Sequence, residues 1–160
     1  MKNVNQLALL LLLNACSVAA QDVTISGPDQ RLQVAFDCQT DGGLAYSVVY
    51  DGKTMLANSP LGLETNMGSF VKGLKLERHE IHSIDTVYEQ SRIKASHIHY
   101  QANELTCHLT NAEGRQIAVT FRVSNNDVAL RYSLPRQHGT GSVRVMSEAT
   151  GFHFPEQTTT

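Results

Sequence analysis

Apolar and polar side chains alternate with a period of two along most of this chain. Leu32, Val34, Phe36 and Cys38 fall on one face, while Arg31, Gln33, Ala35 and Asp37 fall on the other. Ile117, Val119, Phe121 and Val123 repeat the pattern, as do Val128, Leu130, Tyr132 and Leu134, with a shorter copy at Leu105, Cys107 and Leu109. Successive side chains of a strand point to opposite sides, so this alternation predicts strands with one face on a core. Helical periodicity is hard to find. Turn chemistry separates the runs. Asp51-Gly52 lies between Tyr46–Tyr50 and Lys53–Ala57, and an Asp-Gly pair there predicts a type I′ hairpin with positive φ at both central residues. Asp41-Gly42-Gly43, Glu113-Gly114 and Asn125-Asn126 mark further breaks, the asparagines being read as left-handed turn residues. Pro135 is expected to end the strand before it, because proline cannot donate to a ladder. Short strands joined by turns at this spacing predict an all-β, antiparallel β-sandwich.

Residues 1–20 follow a different rule. Lys2 supplies a positive end, and the apolar run Leu7–Leu13 is too short for the roughly 20 residues of a bilayer span. Its length and flanks predict an export signal, leaving 21–160 as the folded domain. Two processing points compete. Val18-Ala19-Ala20 offers small residues for ordinary cleavage before Gln21, whereas Leu13-Asn14-Ala15-Cys16 resembles a lipoprotein box with Cys16 as the lipidation candidate. The expected location is the periplasm, or the outer membrane as a lipoprotein with a lipid anchor.

Composition narrows the function classes. Thirteen Lys+Arg against 15 Asp+Glu give a formal charge of −2, and the cations are scattered, so no nucleic-acid partner is expected. Cys38 and Cys107 remain after the leader, and an oxidising compartment would permit a disulfide between them. Both are in phase with apolar positions, which favours two buried small side chains. Neither has a zinc-finger spacing. His97-x-His99 places two imidazoles on one strand face but lacks a third ligand, so a polar, solvent-facing strand beside Tyr100 is the plainer reading. His79-Glu80-Ile81-His82 is one residue short of the four-residue histidine spacing that a zinc-protease helix needs. Glycoside hydrolysis uses two carboxylates held across a bond. Asp37, Asp41, Asp51, Glu64, Asp85, Glu89, Glu104, Glu148 and Glu156 supply acids, none paired in a motif, and each reads as a solvated charge. No nucleophile elbow or phosphate-binding loop is present.

Specific strings carry a resemblance. Pro28-Asp29 leads through Leu32 and Val34 to Phe36. The hairpin Tyr46–Thr54 then runs into Ser59-Pro60-Leu61-Gly62-Leu63. Asn103-Glu104-Leu105-Thr106 and the stretch QIAVTFRVSNNDVALRYSLP follow, and Gly151-Phe152-His153-Phe154-Pro155-Glu156 closes the set. In this order and spacing, from about Val23 to Thr160, they resemble the amino-terminal domain of glycoside hydrolase family 97, bacterial α-glucosidases and α-galactosidases.

The resemblance implies a galactose mutarotase-like super-sandwich, here incomplete. It implies a C-terminal (β/α)₈ barrel as the missing partner, carrying the catalytic acid and the nucleophile or base. The full enzyme would take an α-linked oligosaccharide. Calcium belongs to the full-length family, with no cofactor expected in this chain, and the sandwich's share of its ligands is expected just beyond Thr160. At 160 residues the chain is expected to be a fragment or a shortened product, with no catalytic residue and no metal ligand of its own. Phe152, His153, Phe154 and Glu156 are the candidates for a surface facing the barrel or the substrate, the alternative being simply a last core strand. A stand-alone periplasmic carbohydrate-binding or scaffolding sandwich is the second reading. Against it, the chain has no Trp, and Phe36, Phe121 and Tyr132 are in core phase rather than free to stack on sugars.

Overall fold

Eleven strands and no helix make up the described chain, which in this computed structural model comprises residues 21–89, 97–136, 141–156 and 158. The export signal and Cys16 lie outside these residues. The strands are β1 (Gln21–Ser26), β2 (Leu32–Cys38), β3 (Leu44–Tyr50), β4 (Lys53–Leu61), β5 (Leu63–Thr65), β6 (Gly68–Phe70), β7 (Lys75–Glu89), β8 (His97–Thr110), β9 (Gln116–Val123), β10 (Val128–Ser133) and β11 (Val145–Glu148). They form two four-stranded antiparallel sheets, β1-β2-β3-β4 and β10-β9-β8-β7, and a three-stranded sheet, β11-β5-β6. The architecture is the antiparallel sandwich that the alternation predicts.

The core lies between the two larger sheets. Leu32, Val34, Phe36 and Cys38 of β2 and Leu44, Tyr46 and Val48 of β3 face Leu105, Cys107 and Leu109 of β8 and Ile117, Val119, Phe121 and Val123 of β9. Phe36, Phe121, Leu105 and Val119 are wholly buried. The Phe121 ring centroid lies 6.1 Å from Phe36 and 5.7 Å from Tyr46, both tilted, as aromatic quadrupoles favour. Leu63 and Phe70 bring the third sheet into the same core. Both cysteines are free and buried. Burial pushes the Cys107 thiol up to about 12, with Cys38 adding to it, so it stays protonated and unreactive.

The turns are partly as the sequence reads. Asp51 and Gly52 take φ of 49° and 75°, the type I′ pair, and the Arg31 guanidinium forks onto the Asp51 carboxylate at 2.5 and 2.8 Å. The Asn125-Asn126 turn differs. Among the described residues the non-glycine positions with positive φ are Gln30, Asp51 and Asn58, so neither asparagine is left-handed. Ser124 shapes this turn instead. Its hydroxyl accepts from the backbone N–H of Asn126 and Asp127, both at 3.1 Å, and donates to the Asp127 carboxylate at 2.6 Å.

β4 runs past the expected Ala57 to Leu61. A bulge at Asn58 (φ 45°), beside a shift of register with β3, carries it there. The bulge brings Pro60 onto a sheet edge, where its missing N–H costs nothing.

Candidate functional site

The segment after β11 carries all four residues singled out from the sequence, and it is neither free coil nor a core strand. It follows β4 back along its open edge. Ala149 N–H donates to Gly62 O at 2.9 Å, Gly151 N–H to Pro60 O at 3.0 Å, and Ala57 N–H to His153 O at 2.9 Å. His153 N–H also donates to Ser59 Oγ, a wholly buried hydroxyl, at 3.0 Å. These bonds fix the backbone and leave the side chains outside. Phe152 and Phe154 are each 64% exposed, and His153 and Glu156 are exposed as well. Two rings this open on an anchored backbone form a preset apolar surface, the kind that marks a contact site.

Phe152 also lines a cleft of about 490 Å³ with Tyr46, Val48, Leu56, Phe121, Val128, Leu130, Glu148 and Thr150. The cleft opens between β4 and β10, the adjoining edges of the two large sheets. Two tyrosines fasten its rim. Tyr46 donates its phenol to Gly151 O at 3.2 Å. The Tyr132 oxygen accepts from Gly62 N–H at 2.9 Å and meets Thr150 Oγ1 at 2.7 Å. Burial raises both phenol pKa values, so both remain donors at neutral pH. The sequence places Tyr46 and Tyr132 in core phase but does not reveal that they hold the C-terminal segment. The available signal is general: a tyrosine in a core position needs a partner for its hydroxyl.

The other candidate groups are dispersed. His97 and His99 share an exposed face of β8, and each meets a carboxylate on β7: His97 Nδ1 lies 3.3 Å from Glu89, and His99 Nε2 lies 2.6 Å from Asp85. Glu80 is the hub of a second cluster, in contact with Arg78, with His82 at 3.3 Å and with His108 at 2.9 Å. Arg78 holds its carboxyl below the usual range, followed by His82. His79-Glu80-Ile81-His82 lies on strand β7, so His79 points away from the side that Glu80 and His82 share. Glu104 is the most sheltered of these acids in an ion pair, 2.5 Å from Arg122.

One carboxylate pair does occur, and the sequence reading of Asp37 as an isolated solvated charge misses it. Asp22 and Asp37 are direct register partners on the outward face of β1 and β2. Asp37 Oδ1 is buried and lacks a hydrogen-bond partner. Burial raises the Asp37 pKa, and the Asp22 carboxylate raises it further. An acid with a raised folded pKa binds its proton more tightly when folded, so stability falls as pH rises through that pKa. Asp37→Asn is therefore expected to raise the melting midpoint by about 1–3 °C at pH 7, the scale of a like-charge cross-strand pair. The gain should vanish below about pH 4, where unfolded carboxyls are protonated too. Gln39 acts the other way, lowering the Asp37 pKa through its side chain, and a loss of stability at pH 7 would mean that this contact outweighs burial and the Asp22 charge.

Among the described residues no group of three or more His, Cys, Asp or Glu side chains could hold a metal ion, and Asp22 with Asp37 supplies only one pair. Closed calcium sites need six to eight oxygens.

A family profile described as Glycosyl-hydrolase 97 N-terminal matches residues 25–160. This chain belongs to that family. The family-97 domain is 58% identical to a solved β-arabinopyranosidase, with a TM-score of 0.82, over 86% of this chain and 22% of that one. It is 31% identical to a probable retaining α-galactosidase from Streptomyces bingchenggensis (strain BCW-1), over 84% of this chain and 20% of the relative. A family 97 enzyme from Pseudoalteromonas sp. strain K8, solved with acarbose, shares the fold at a TM-score of 0.77 and 24% identity, over 84% of this chain and 20% of that one. The domain thus spans about a fifth of the length of the relatives it matches.

Proposed function

We propose that this family-97 domain is the non-catalytic amino-terminal part of an exported α-glycosidase of α-glucosidase or α-galactosidase type. It packs on a (β/α)₈ catalytic barrel and shapes the wall of that barrel's sugar pocket. The observation that carries the reading is the coverage. A single sandwich accounts for 86% of this chain and 22% of a β-arabinopyranosidase at 58% identity. The preset surface of Phe152, His153, Phe154 and Glu156 is the part assigned to the barrel or pocket rim. Calcium is assigned to the remainder of the enzyme, and the described residues gather no cluster of three or more His, Cys, Asp or Glu side chains that would compete for it. What this chain contributes is position and water exclusion, not proton transfer.

The test joins the chain to the remainder of the β-arabinopyranosidase relative. Residues 21–160 alone should give no hydrolysis of aryl α-galactosides or α-glucosides, with or without calcium, while the joined protein should turn over an aryl glycoside. Turnover by the rigorously purified short chain would overturn the proposal. In the joined protein, Phe152→Ala with Phe154→Ala should lower kcat/KM about tenfold, which corresponds to ~1.4 kcal/mol of lost transition-state binding. Unchanged kinetics would remove these rings from the pocket wall. The short chain should also be less soluble and bind hydrophobic dyes, because Met55, Val145, Met146, Phe152 and Phe154 are all exposed. A dye-negative monomer at high concentration would favour a self-sufficient module.

Residues 1–20 are assigned to export, ending either after Ala20 or at a lipid-modified Cys16. Intact mass of the protein from membrane and soluble fractions separates the two. An unprocessed Met1 would sink both.

A further inference from the structure

We infer that β7 and β8 extend beyond the sandwich as an amphipathic two-stranded arm, and that its apolar side docks on the polypeptide that follows residue 160 in full-length family members. The inference rests on the proposed assembly with a larger enzyme. β7 and β8 pair along their whole lengths, from Lys75↔Thr110 to Glu89↔His97. β9 pairs with β8 only from Asn103 to Thr110, so His97–Ala102 has no strand from β9 on its second side. A lone two-stranded ribbon is marginal in water.

The two faces of the arm differ. Asp85↔Gln101, Val87↔His99 and Glu89↔His97 share one face, which satisfies itself: Asp85 meets His99 at 2.6 Å and Gln101 at 2.9 Å, and Glu89 meets His97 at 3.3 Å. Val87 is the one apolar side chain there. Ile84↔Ala102, Thr86↔Tyr100 and Tyr88↔Ile98 share the other face, where five of six residues are apolar or aromatic. Tyr88 is 40% exposed, Ile84, Ile98 and Tyr100 are only half-buried, and Ala102, at the root of the arm, is already buried by the sandwich.

The decisive feature is a reversal of sides. Within the sandwich, Leu105, Cys107 and Leu109 of β8 face the core while Glu104, Thr106 and His108 face out. Alternation puts Ile98, Tyr100 and Ala102 on that outward side. The strand therefore exchanges its greasy side for its polar one at about Asn103. The sheet β1-β2-β3-β4 lies against the opposite face, and among the described residues this leaves the outer rungs, Thr86↔Tyr100 and Tyr88↔Ile98, to a layer outside this sandwich.

Size selects the occupant. The two outer rungs present on the order of 130 Å², given about 6.8 Å between like-facing residues. A stable dimer buries roughly 800 Å² per partner. So small a strip suits a covalently joined partner, which escapes most of the association entropy of a free one. Relatives that devote only 20–22% of their length to this region have polypeptide to supply it.

The test uses single cysteines in the joined protein described above and in the short chain. Tyr88→Cys and Ile98→Cys report the apolar face, and Val87→Cys and Gln101→Cys the polar face. In the joined protein maleimide should label each apolar-face site about tenfold more slowly, or worse, than it does in the short chain, whereas the polar-face sites should react alike in both. Equal labelling of both faces in a catalytically active joined protein overturns the docking face and leaves the proposed function standing. Protection in an inactive joined protein keeps the docking face and counts against that function. Protection in the short chain that grows with concentration, alongside a dimer mass, overturns the inference in favour of a second copy. If the joined protein does not fold, Tyr88→Ser with Ile98→Thr in the short chain should reduce dye binding and leave the melting midpoint unchanged. Unreduced dye binding or a lower midpoint overturns the inference, because the strip would then be part of the sandwich's own packing.

Discussion

Phe121→Ala should cost about 3–5 kcal/mol and leave the domain largely unfolded at 37 °C, because aromatic deletions in a packed core remove both transfer energy and contacts. Phe121 is wholly buried and sits between Phe36 on β2 and Tyr46 on β3. Its ring joins the two sheets, and it also forms the floor of the cleft between β4 and β10. Truncation would enlarge that cleft instead of creating a sealed void, so water would reach the interface of the sheets. Domains of this size have a total stability of about 5–15 kcal/mol, so the loss is a large share of it. Urea unfolding followed by tyrosine fluorescence measures it directly. Phe121→Leu keeps most of the volume and should cost about 1–1.5 kcal/mol. If the alanine variant lost less than the leucine variant, the ring would not be the joint between the sheets.

Gly42→Ala should be nearly as damaging, at about 2–4 kcal/mol, although it adds a single methyl group. Gly42 has φ of 73°, where a Cβ costs roughly 1–2 kcal/mol. A Cβ there would also lie 2.3 Å from Leu74 N and 2.7 Å from Gly73 Cα, both backbone atoms that cannot swing aside. The loop around Asp41 and the turn before β7 are fastened by Gly73 N–H to Asp41 O and Leu74 N–H to Gly42 O, each at 3.0 Å. Pushing them apart sacrifices both bonds, at about 1 kcal/mol each. Gly114 provides the contrast, with φ of 74° but open space for 4 Å around the position a Cβ would take. Gly114→Ala should cost only the conformational part, about 1 kcal/mol. Equal melting midpoints for the two variants would show that crowding at Gly42 is relieved by loop movement.

Much of the sandwich is legible in the sequence because strand periodicity and hydrogen-bonding geometry act over two residues. Leu32 to Cys38 and Ile117 to Val123 declare their buried side, and Asp51-Gly52 declares its turn, without reference to any distant part of the chain. Asn125-Asn126 shows where this local logic weakens. The turn is where the composition puts it, but the Ser124 hydroxyl, not a left-handed asparagine, supplies its bonds. The exposure of Phe152 and Phe154 was partly legible, since the motif stands out in the sequence. The anchoring of that segment to Ala57, Ser59 and Pro60 was not, because those partners lie about ninety residues or more away.

Taken alone, the sequence determined the all-β class, the positions of β2, β3, β9 and β10 and part of β4 and β8, the core side of β2, β8, β9 and β10, and the family, while β7, the longest strand, went unread. Each of these follows from local alternation, from turn residues or from the order of motifs. Tertiary structure alone decided that Asp22 and Asp37 face each other, that Tyr46 and Tyr132 hold the C-terminal segment, and that β8 runs past the end of β9. Such facts depend on which strands become neighbours and in what register. A shift of one residue would turn every side chain to the opposite face without altering a letter of the sequence.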